Sequence, residues 1–221
     1  MGAIRSALLV ALLSFGNCCG LAYAQGSDVG LINLVAGDVS YVSSSGAGKA
    51  QSYMKIRQGD RYTLAAGALL KIVYFRNGRQ ETWRGPAGFR SGSEQSEALA
   101  GAVYEVGHLP AGVPQKIQRI PELLQMAKLG GIQVRGTTPK QRASLEQQSE
   151  VAAARTTYAQ LRQQLAQDDI TPELYLFTVL QDYLLYDDMK TVADEMLRKQ
   201  PANQEAQQLA EWARLRVQSS R

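Results

Sequence analysis

The chain has 221 residues, 45% of them hydrophobic, and a formal net charge of +4. This length accommodates one large domain or two small ones, each with a real core. No stretch approaches the ~20 apolar residues that a membrane-spanning helix needs. The chain has one histidine and two cysteines, and both cysteines lie within the first 24 residues, the predicted leader described below, so too few His and Cys ligands remain for a metal site. We therefore expect no metal, no cofactor and no integral membrane span.

The first 24 residues have the layout of a secretory signal peptide. Arg5 precedes a short apolar run at residues 7–15, and Ala22-Tyr23-Ala24 is a small-x-small cleavage site. We expect cleavage after Ala24 and a periplasmic or secreted mature protein.

Both cysteines, Cys18 and Cys19, lie inside this predicted leader. Disulfides are therefore not expected in the mature chain, and the fold must be stabilised by packing alone. The alternative is that Cys18 or Cys19 becomes the lipid-modified first residue of a lipoprotein. Phe15-Gly16-Asn17 fits poorly with the small apolar residues that such processing requires, so a lipoprotein is the less favoured expectation.

The charge is unevenly distributed along the chain. Residues 25–140 carry 14 Lys and Arg against 8 Asp and Glu, a net charge of +6. Residues 141–221 carry 9 against 12, a net charge of −3. The basic front could contact the acidic back or an anionic partner, and a solvated surface is the simplest alternative. In an exported protein the partner would be an envelope protein or a glycan, not nucleic acid.

From residue 29 onward, short β-rich segments bounded by glycine predict an antiparallel sandwich or small barrel. The expected strands are residues 29–36, 39–42, 70–75, 80–83 and 102–106, with further strand residues on both sides of a Gly59-Asp60 turn. Residues 43–48 and 91–96 have loop composition. Asn77-Gly78 predicts a hairpin with a two-residue type I′ turn, because both residues tolerate positive φ.

A two-residue turn would place Arg76 opposite Arg79, with Arg84 and Arg90 nearby. Like charges directly opposite each other destabilise a sheet unless they are neutralised. Glu81, as a diagonal neighbour, would neutralise Arg76. The alternative is that Arg76, Arg79 and Arg84 form an anion-binding tip for an acidic partner or a glycan.

The remainder of the chain is predicted to be helical. A β-domain at residues 25–112 is followed by a connector at 113–137, which holds a short helix at 121–129 and a candidate edge strand at 131–135. A helical module then occupies residues 138–221. Its four helices are predicted to begin at Thr138-Pro139, Thr171-Pro172, Asp187-Asp188 and Asn203. The predicted fold class is therefore α+β, with the β part first.

The second helix of this module is apolar nearly all round, which predicts a central, buried position. Its apolar residues are Leu174, Tyr175, Phe177, Leu180 and Leu184. Tyr175, Tyr183 and Tyr186 cannot all face inward from one helix. We therefore expect one or two of these tyrosines to line a peptide-binding surface.

Catalytic motifs are missing from the sequence. His108 precedes Leu109-Pro110 at a predicted strand end, and no Gly-x-Ser-x-Gly turn presents a nucleophile. Gly46-Ala47-Gly48-Lys49 fails as a phosphate loop, because Ser43 replaces its opening glycine and Ala50 follows the lysine. We expect a non-catalytic protein. A peptidoglycan-acting enzyme and a lipid-anchored assembly factor are the competing classes.

The front half resembles a FecR-like domain, a β-rich module of bacterial envelope proteins. The matching landmarks are, in order, Gly37-Asp38-Val39, Gly59-Asp60, Gly67, Asn77-Gly78 and Gly85-Pro86. The chain departs from the family at Ala66-Gly67-Ala68-Leu69, where a threonine-bearing segment is usual. The resemblance implies recognition of an envelope protein or glycan. It does not imply sigma-factor regulation, since the family's regulators carry a membrane span.

The back half is similar to a degenerate tetratricopeptide hairpin. Residues 187–200 and Pro201-Ala202-Asn203 fit the second helix of a repeat and its link to the next, with Ala193 and Met196 at contact positions. One repeat needs neighbouring helices as caps. The resemblance implies that the helices bind a segment of a protein partner. Nothing in the sequence indicates an oligomeric state.

Overall fold

The computed structural model describes residues 27–99, 102–129 and 145–219. Within these ranges, two five-stranded antiparallel sheets precede six helices, which confirms the α+β class and the β-then-α order. The predicted signal peptide, the candidate edge strand at 131–135 and the helix start at Thr138 lie outside the described residues.

The ten strands pair into two sheets. They are β1 (Asp28–Ala36), β2 (Val39–Ser43), β3 (Gly46–Lys49), β4 (Lys55–Arg57), β5 (Arg61–Leu64), β6 (Leu69–Tyr74), β7 (Arg79–Arg84), β8 (Ala87–Ser91), β9 (Ser96–Ala98) and β10 (Tyr104–His108). Sheet A has the order β10-β7-β6-β1-β4, and sheet B has the order β3-β2-β5-β8-β9.

The helices follow the strands. They are α1 (Val113–Ile117), α2 (Ile120–Lys128), α3 (Leu145–Gln164), α4 (Thr171–Asp182), α5 (Tyr186–Lys199) and α6 (Gln204–Ser219). Helix α2 confirms the predicted connector helix, and α1 was not predicted.

Sheet A is buried on both faces. Successive residues of β6 and its turn alternate between two cores: Ile72 and Tyr74 pack into the sandwich, whereas Val73 and Phe75 pack against the helices. Both faces of sheet A are therefore apolar, which explains why residues 69–75 show little polar alternation. Sheet A is the middle layer of three, between the helices and sheet B.

Sheet B is buried on one face only. Along β5, Arg61 and Thr63 are exposed, whereas Tyr62 and Leu64 are buried in the sandwich. This strict alternation is what a sheet with one solvated face requires. Inside the sandwich, aromatic rings stack in succession, with centroid separations of 5.0 Å between Tyr62 and Phe89 and 4.5 Å between Phe89 and Trp83.

The helices and sheet A share one apolar core and a buried polar connection. The Asn33 side chain in β1 donates a 2.5 Å hydrogen bond to Thr171 Oγ1 at the start of α4. Thr171 Oγ1 in turn donates to Asp169 Oδ1 at 2.5 Å, and Lys71 Nζ in β6 lies 3.1 Å from Asp169 Oδ2. Because these groups are mostly buried, they fix the position of α4 on the sheet.

Charged contacts also join the basic front of the chain to its acidic back. Lys116 Nζ lies 2.9 Å from Asp182 Oδ2, and Arg119 pairs with the same carboxylate. With the Lys71–Asp169 pair, part of the charge asymmetry is thus used within the chain.

The predicted β6–β7 hairpin is present, but the two-residue turn is wrong. Val73 pairs with Gln80, so residues 75–78 form a four-residue connection. Gly78 has a φ of 66°, and its N–H donates to the Tyr74 carbonyl at 3.1 Å. The Asn77 side chain accepts from the Arg79 N–H and donates to the Glu94 carbonyl. These side-chain bonds hold Asn77 in the longer turn.

Three further expectations are corrected. Residues 46–48, predicted as part of a loop, belong to the edge strand β3 (Gly46–Lys49). Asp187 and Asp188 do not cap α5, which begins at Tyr186; they lie in its first turn. Leu184 lies outside α4 in a turn with a φ of 56°, where it is exposed and not buried. This turn starts α5 earlier than the acidic pair indicated.

Candidate functional site

The three arginines predicted to form an anion-binding tip are each paired with a carboxylate. Arg76 Nε lies 2.9 Å from Glu94 Oε1, and Arg84 Nε lies 3.6 Å from Glu105 Oε1. Arg79 pairs with Glu81, so the expectation that Glu81 neutralises Arg76 is wrong. The four-residue turn is the reason, since it removes Arg76 from the position opposite Arg79.

Glu81 is the most tightly bonded of these carboxylates. Its side chain is fully buried and accepts from Arg79 Nε at 2.6 Å, Trp83 Nε1 at 3.1 Å and the Ser96 N–H at 3.2 Å. The hydrogen bond to Glu81 raises the pKa of the Arg79 guanidinium. Since Ser96 belongs to sheet B, Glu81 connects the two sheets. The Arg79 pair is therefore structural, and Arg79 does not provide a free cation.

The helical tyrosines are divided between core and surface. Tyr175 is buried in the core shared by the helices and sheet A, so it does not line a surface. Tyr183 and Tyr186 are half-buried, and the Tyr183 hydroxyl donates to Glu150 of α3. Leu184 between them is exposed. The α4–α5 turn, residues 183–186, therefore presents an apolar surface that the tyrosine pattern partly indicated.

The outer face of sheet B carries a pair of arginines that sequence reasoning missed as a site. Arg61 in β5 is the direct cross-strand neighbour of Arg90 in β8, and both are exposed. Val42 flanks Arg61 on β2, and Glu97 flanks Arg90 on β9. We call this solvent-facing surface of β2, β5, β8 and β9 the open face. The alternation in Arg61-Tyr62-Thr63-Leu64 was the available signal, but β8 was not predicted.

A second charged cluster lies inside the helical layer. Glu173 of α4 is fully buried, and its Oε1 accepts from the Tyr158 hydroxyl at 2.9 Å. The same oxygen lies 3.3 Å from Lys199 Nζ and 3.7 Å from Arg162 Nε. Burial raises the pKa of Tyr158 to about 12. The carboxylate is enclosed by three helices and is inaccessible to a substrate, so its geometry suits helix packing.

No metal centre is apparent in the described part of the chain, where no group of three or more His, Cys, Asp and Glu residues is suitably placed. His108 is exposed on the edge strand β10, opposite Arg79. Among the described helices, none combines the length and apolar character needed to cross a membrane.

Comparison with known proteins adds no relative. No family model, curated protein or solved structure matches this chain. The FecR-like and tetratricopeptide-like resemblances therefore depend on the motifs in the sequence alone. The candidate site that geometry offers is the open face of sheet B, together with the apolar α4–α5 turn.

Proposed function

We propose that this protein is an exported, non-catalytic binding or scaffold protein of the bacterial cell envelope. Its FecR-like sandwich would recognise an envelope protein or glycan, and its helices would contact a second protein. The observation that carries the proposal is the asymmetry of the sandwich: helices cover the outer face of sheet A, whereas the open face of sheet B is solvated and cationic.

The roles of the buried charges support a binding function. Glu81 joins the two sheets, Asp169 anchors α4 to sheet A, and Glu173 joins three helices. Each of these carboxylates is bonded to cationic or hydroxyl groups that hold the fold together. Catalytic acids and bases need access to a substrate, and these three are enclosed.

The helical contact would use the α4–α5 turn. Tyr183, Leu184 and Tyr186 lie within the same turn, and Leu184 is exposed to solvent. Tyrosine beside an exposed aliphatic residue is typical of protein-binding surfaces, because the ring supplies contact area and the hydroxyl a hydrogen bond. The concave side of a tetratricopeptide hairpin is less suitable here, since Tyr175 and the rest of residues 171–180 are buried.

Affinity capture tests the proposal. The mature protein, beginning at Gln25, is immobilised and incubated with a solubilised envelope fraction, and the bound material is identified by mass spectrometry. We expect saturable capture of a defined envelope protein or glycan, with no change in its covalent structure. Cleavage of purified peptidoglycan by the protein would overturn the non-catalytic assignment. Failure to capture any component would overturn the binding role.

A separate measurement tests export and processing. Intact-mass analysis of protein purified from the native envelope is expected to give a chain that starts at Gln25. A lipid-modified start at Cys18 or Cys19 would instead support the lipid-anchored class.

A further inference from the structure

We propose that Arg61 and Arg90 form a recognition site for an acidic, extended segment of a partner protein on the open face. This inference rests on the proposed binding function and identifies the partner's chemistry. The site lies on the opposite side of the sandwich from the helices, so it is distinct from the α4–α5 turn.

The strand register brings the two guanidinium groups together. Arg61 and Arg90 are directly opposite each other on the antiparallel strands β5 and β8. Side chains at such positions have Cβ atoms roughly 5 Å apart and are in contact range, and like charges there destabilise the pair. A carboxylate bound between them would remove this repulsion and would accept several charge-assisted hydrogen bonds.

Within the described residues, the chain supplies little of that neutralisation itself. Arg61 has no ion pair or hydrogen bond to a described side chain. Arg90 Nη1 lies 3.9 Å from Glu97 Oε2, and both side chains of this pair are more than half exposed. By contrast, Arg76 and Arg79 have partners at 2.9 and 2.6 Å. The Arg61–Arg90 pair is therefore the less compensated cationic site.

Apolar side chains beside the arginines favour a peptide. Val42, opposite Arg61 on β2, is 56% exposed, and Leu99 beyond β9 is 50% exposed. Between them, Thr63 and Gly88 pair across β5 and β8, and their small size leaves a shallow depression in the surface. An acidic peptide that also carries aliphatic side chains would contact the valine, the leucine and both arginines. A glycan or polyphosphate would use the arginines and leave the apolar groups in water.

The test uses a fluorescein-labelled peptide with the repeat Glu-Ser-Val-Ser, because an extended chain then presents glutamate and valine on the same face. Binding to the mature protein is measured by fluorescence anisotropy at low and at physiological salt. We expect saturable binding that weakens as salt rises. The Arg61→Glu/Arg90→Glu double variant should lose at least about tenfold in affinity, since two charge-assisted contacts become repulsive. Both residues are exposed, so far-UV circular dichroism should show an unchanged fold.

Arg76→Glu is the matched control, because Arg76 is an exposed arginine in the β6–β7 turn, outside the open face, and is already paired with Glu94. It should bind the peptide within about twofold of the wild type, since its charge lies outside the site. Val42→Ser should weaken peptide binding without affecting the binding of a heparin fragment. Equal losses in the double variant and the control would show a non-specific charge effect and overturn the site. Absence of peptide binding by the wild type would overturn the peptide assignment. So would tighter binding of heparin than of the peptide, if Val42→Ser changes the affinity for neither.

Capture from the envelope fraction separates this inference from the proposed function. Capture that persists undiminished in the Arg61→Glu/Arg90→Glu variant would refute the arginine site and leave the binding function in place. Loss of capture in this variant, with Arg76→Glu unaffected, is the expected result.

Discussion

Replacing Glu81 by alanine should destabilise the protein by about 3 kcal/mol, near the lower end of the cost of breaking a buried ion pair. The change removes the acceptor of three hydrogen bonds, from Arg79, Trp83 and Ser96. The indole N–H and the Ser96 N–H would be left buried without an acceptor, which costs about 1–3 kcal/mol for each such group. The cost stays moderate because Arg79 is 17% exposed, and the Tyr104 hydroxyl still lies 3.3 Å from its Nη2.

The assay is urea denaturation followed by far-UV circular dichroism, with the free energy of unfolding taken by linear extrapolation. Glu105→Ala is the matched control, because Glu105 pairs with Arg84 at 3.6 Å from a position that is 73% exposed. That variant should cost about 0–1 kcal/mol, as exposed ion pairs generally do. Glu81→Gln keeps the shape of the side chain and one acceptor oxygen, so its loss of unfolding free energy should lie between those of the two alanine variants. A loss of stability in Glu81→Ala no larger than that in Glu105→Ala would refute the role of Glu81 in joining the two sheets.

Three further predictions concern the fold. Thr171→Val should lower the free energy of unfolding by about 1–3 kcal/mol, measured in urea, because it removes a fully buried hydroxyl that accepts from Asn33; an unchanged midpoint would contradict the buried connection. Burial raises the pKa of the Asp60 carboxyl, so the folded state binds this proton more tightly than the unfolded chain. The charged form therefore costs stability at neutral pH, and the cost is relieved as the pH falls toward the unfolded value of about 3.9. Asp60→Asn should accordingly stabilise the protein at pH 7 by more than at pH 4, and a gain independent of pH would contradict this sign. Gly85→Ala should destabilise by more than about 3 kcal/mol, because a Cβ there would lie 1.8 Å from the Ala65 carbonyl oxygen; Gly107→Ala, whose nearest neighbour is 3.8 Å away, is the control and should be nearly neutral.

Local patterns in the sequence were sufficient to predict several elements of the fold. Glycine-bounded β segments gave the antiparallel strands, and Thr171-Pro172 marked the start of α4 correctly. Asn203 was correctly expected at the start of α6, where its side chain accepts from the Ala206 N–H. These signals succeed because turns and caps depend on residues that are close together in the chain.

Features that depend on distant residues were not predicted. The turn at residues 75–78 is longer than Asn77-Gly78 indicated, because the Asn77 side chain bonds to the Glu94 carbonyl, far away in the sequence. The strand β3 is composed of small residues with weak β propensity and forms by pairing with β2. Because the register of the β6–β7 hairpin differs from the predicted one, its arginines have partners other than those expected. Pairing partners are set by tertiary contacts that a single sequence does not reveal.

The candidate site also depends on contacts between distant residues that local sequence patterns do not reveal. Arg76, Arg79 and Arg84 were predicted as a site because they lie near a recognisable turn, yet each has a carboxylate partner. Arg61 and Arg90 lie 29 positions apart, and only the β5–β8 pairing makes them neighbours. The charge count of the front half indicated an excess of cations, but it did not identify which of them are least neutralised by carboxylates.

The proposed role depends on helices covering sheet A, which leaves the outer face of sheet B for a partner. The two tryptophans permit a direct test, because Trp83 lies inside the sandwich and Trp212 lies in α6. In the Trp212→Phe variant, the fluorescence of Trp83 reports on the sandwich, and circular dichroism at 222 nm reports chiefly on the helices. The Trp212 indole N–H has no acceptor among the described residues, so the replacement removes no hydrogen bond there.

Urea unfolding of the Trp212→Phe variant, followed by both signals in one titration, is the decisive measurement. If the helices and sheet A share one core, the two signals should give the same midpoint and the same slope, as expected for a single cooperative unit. Two separate midpoints would contradict the three-layer arrangement, since sheet A would then be stable without its helical cover.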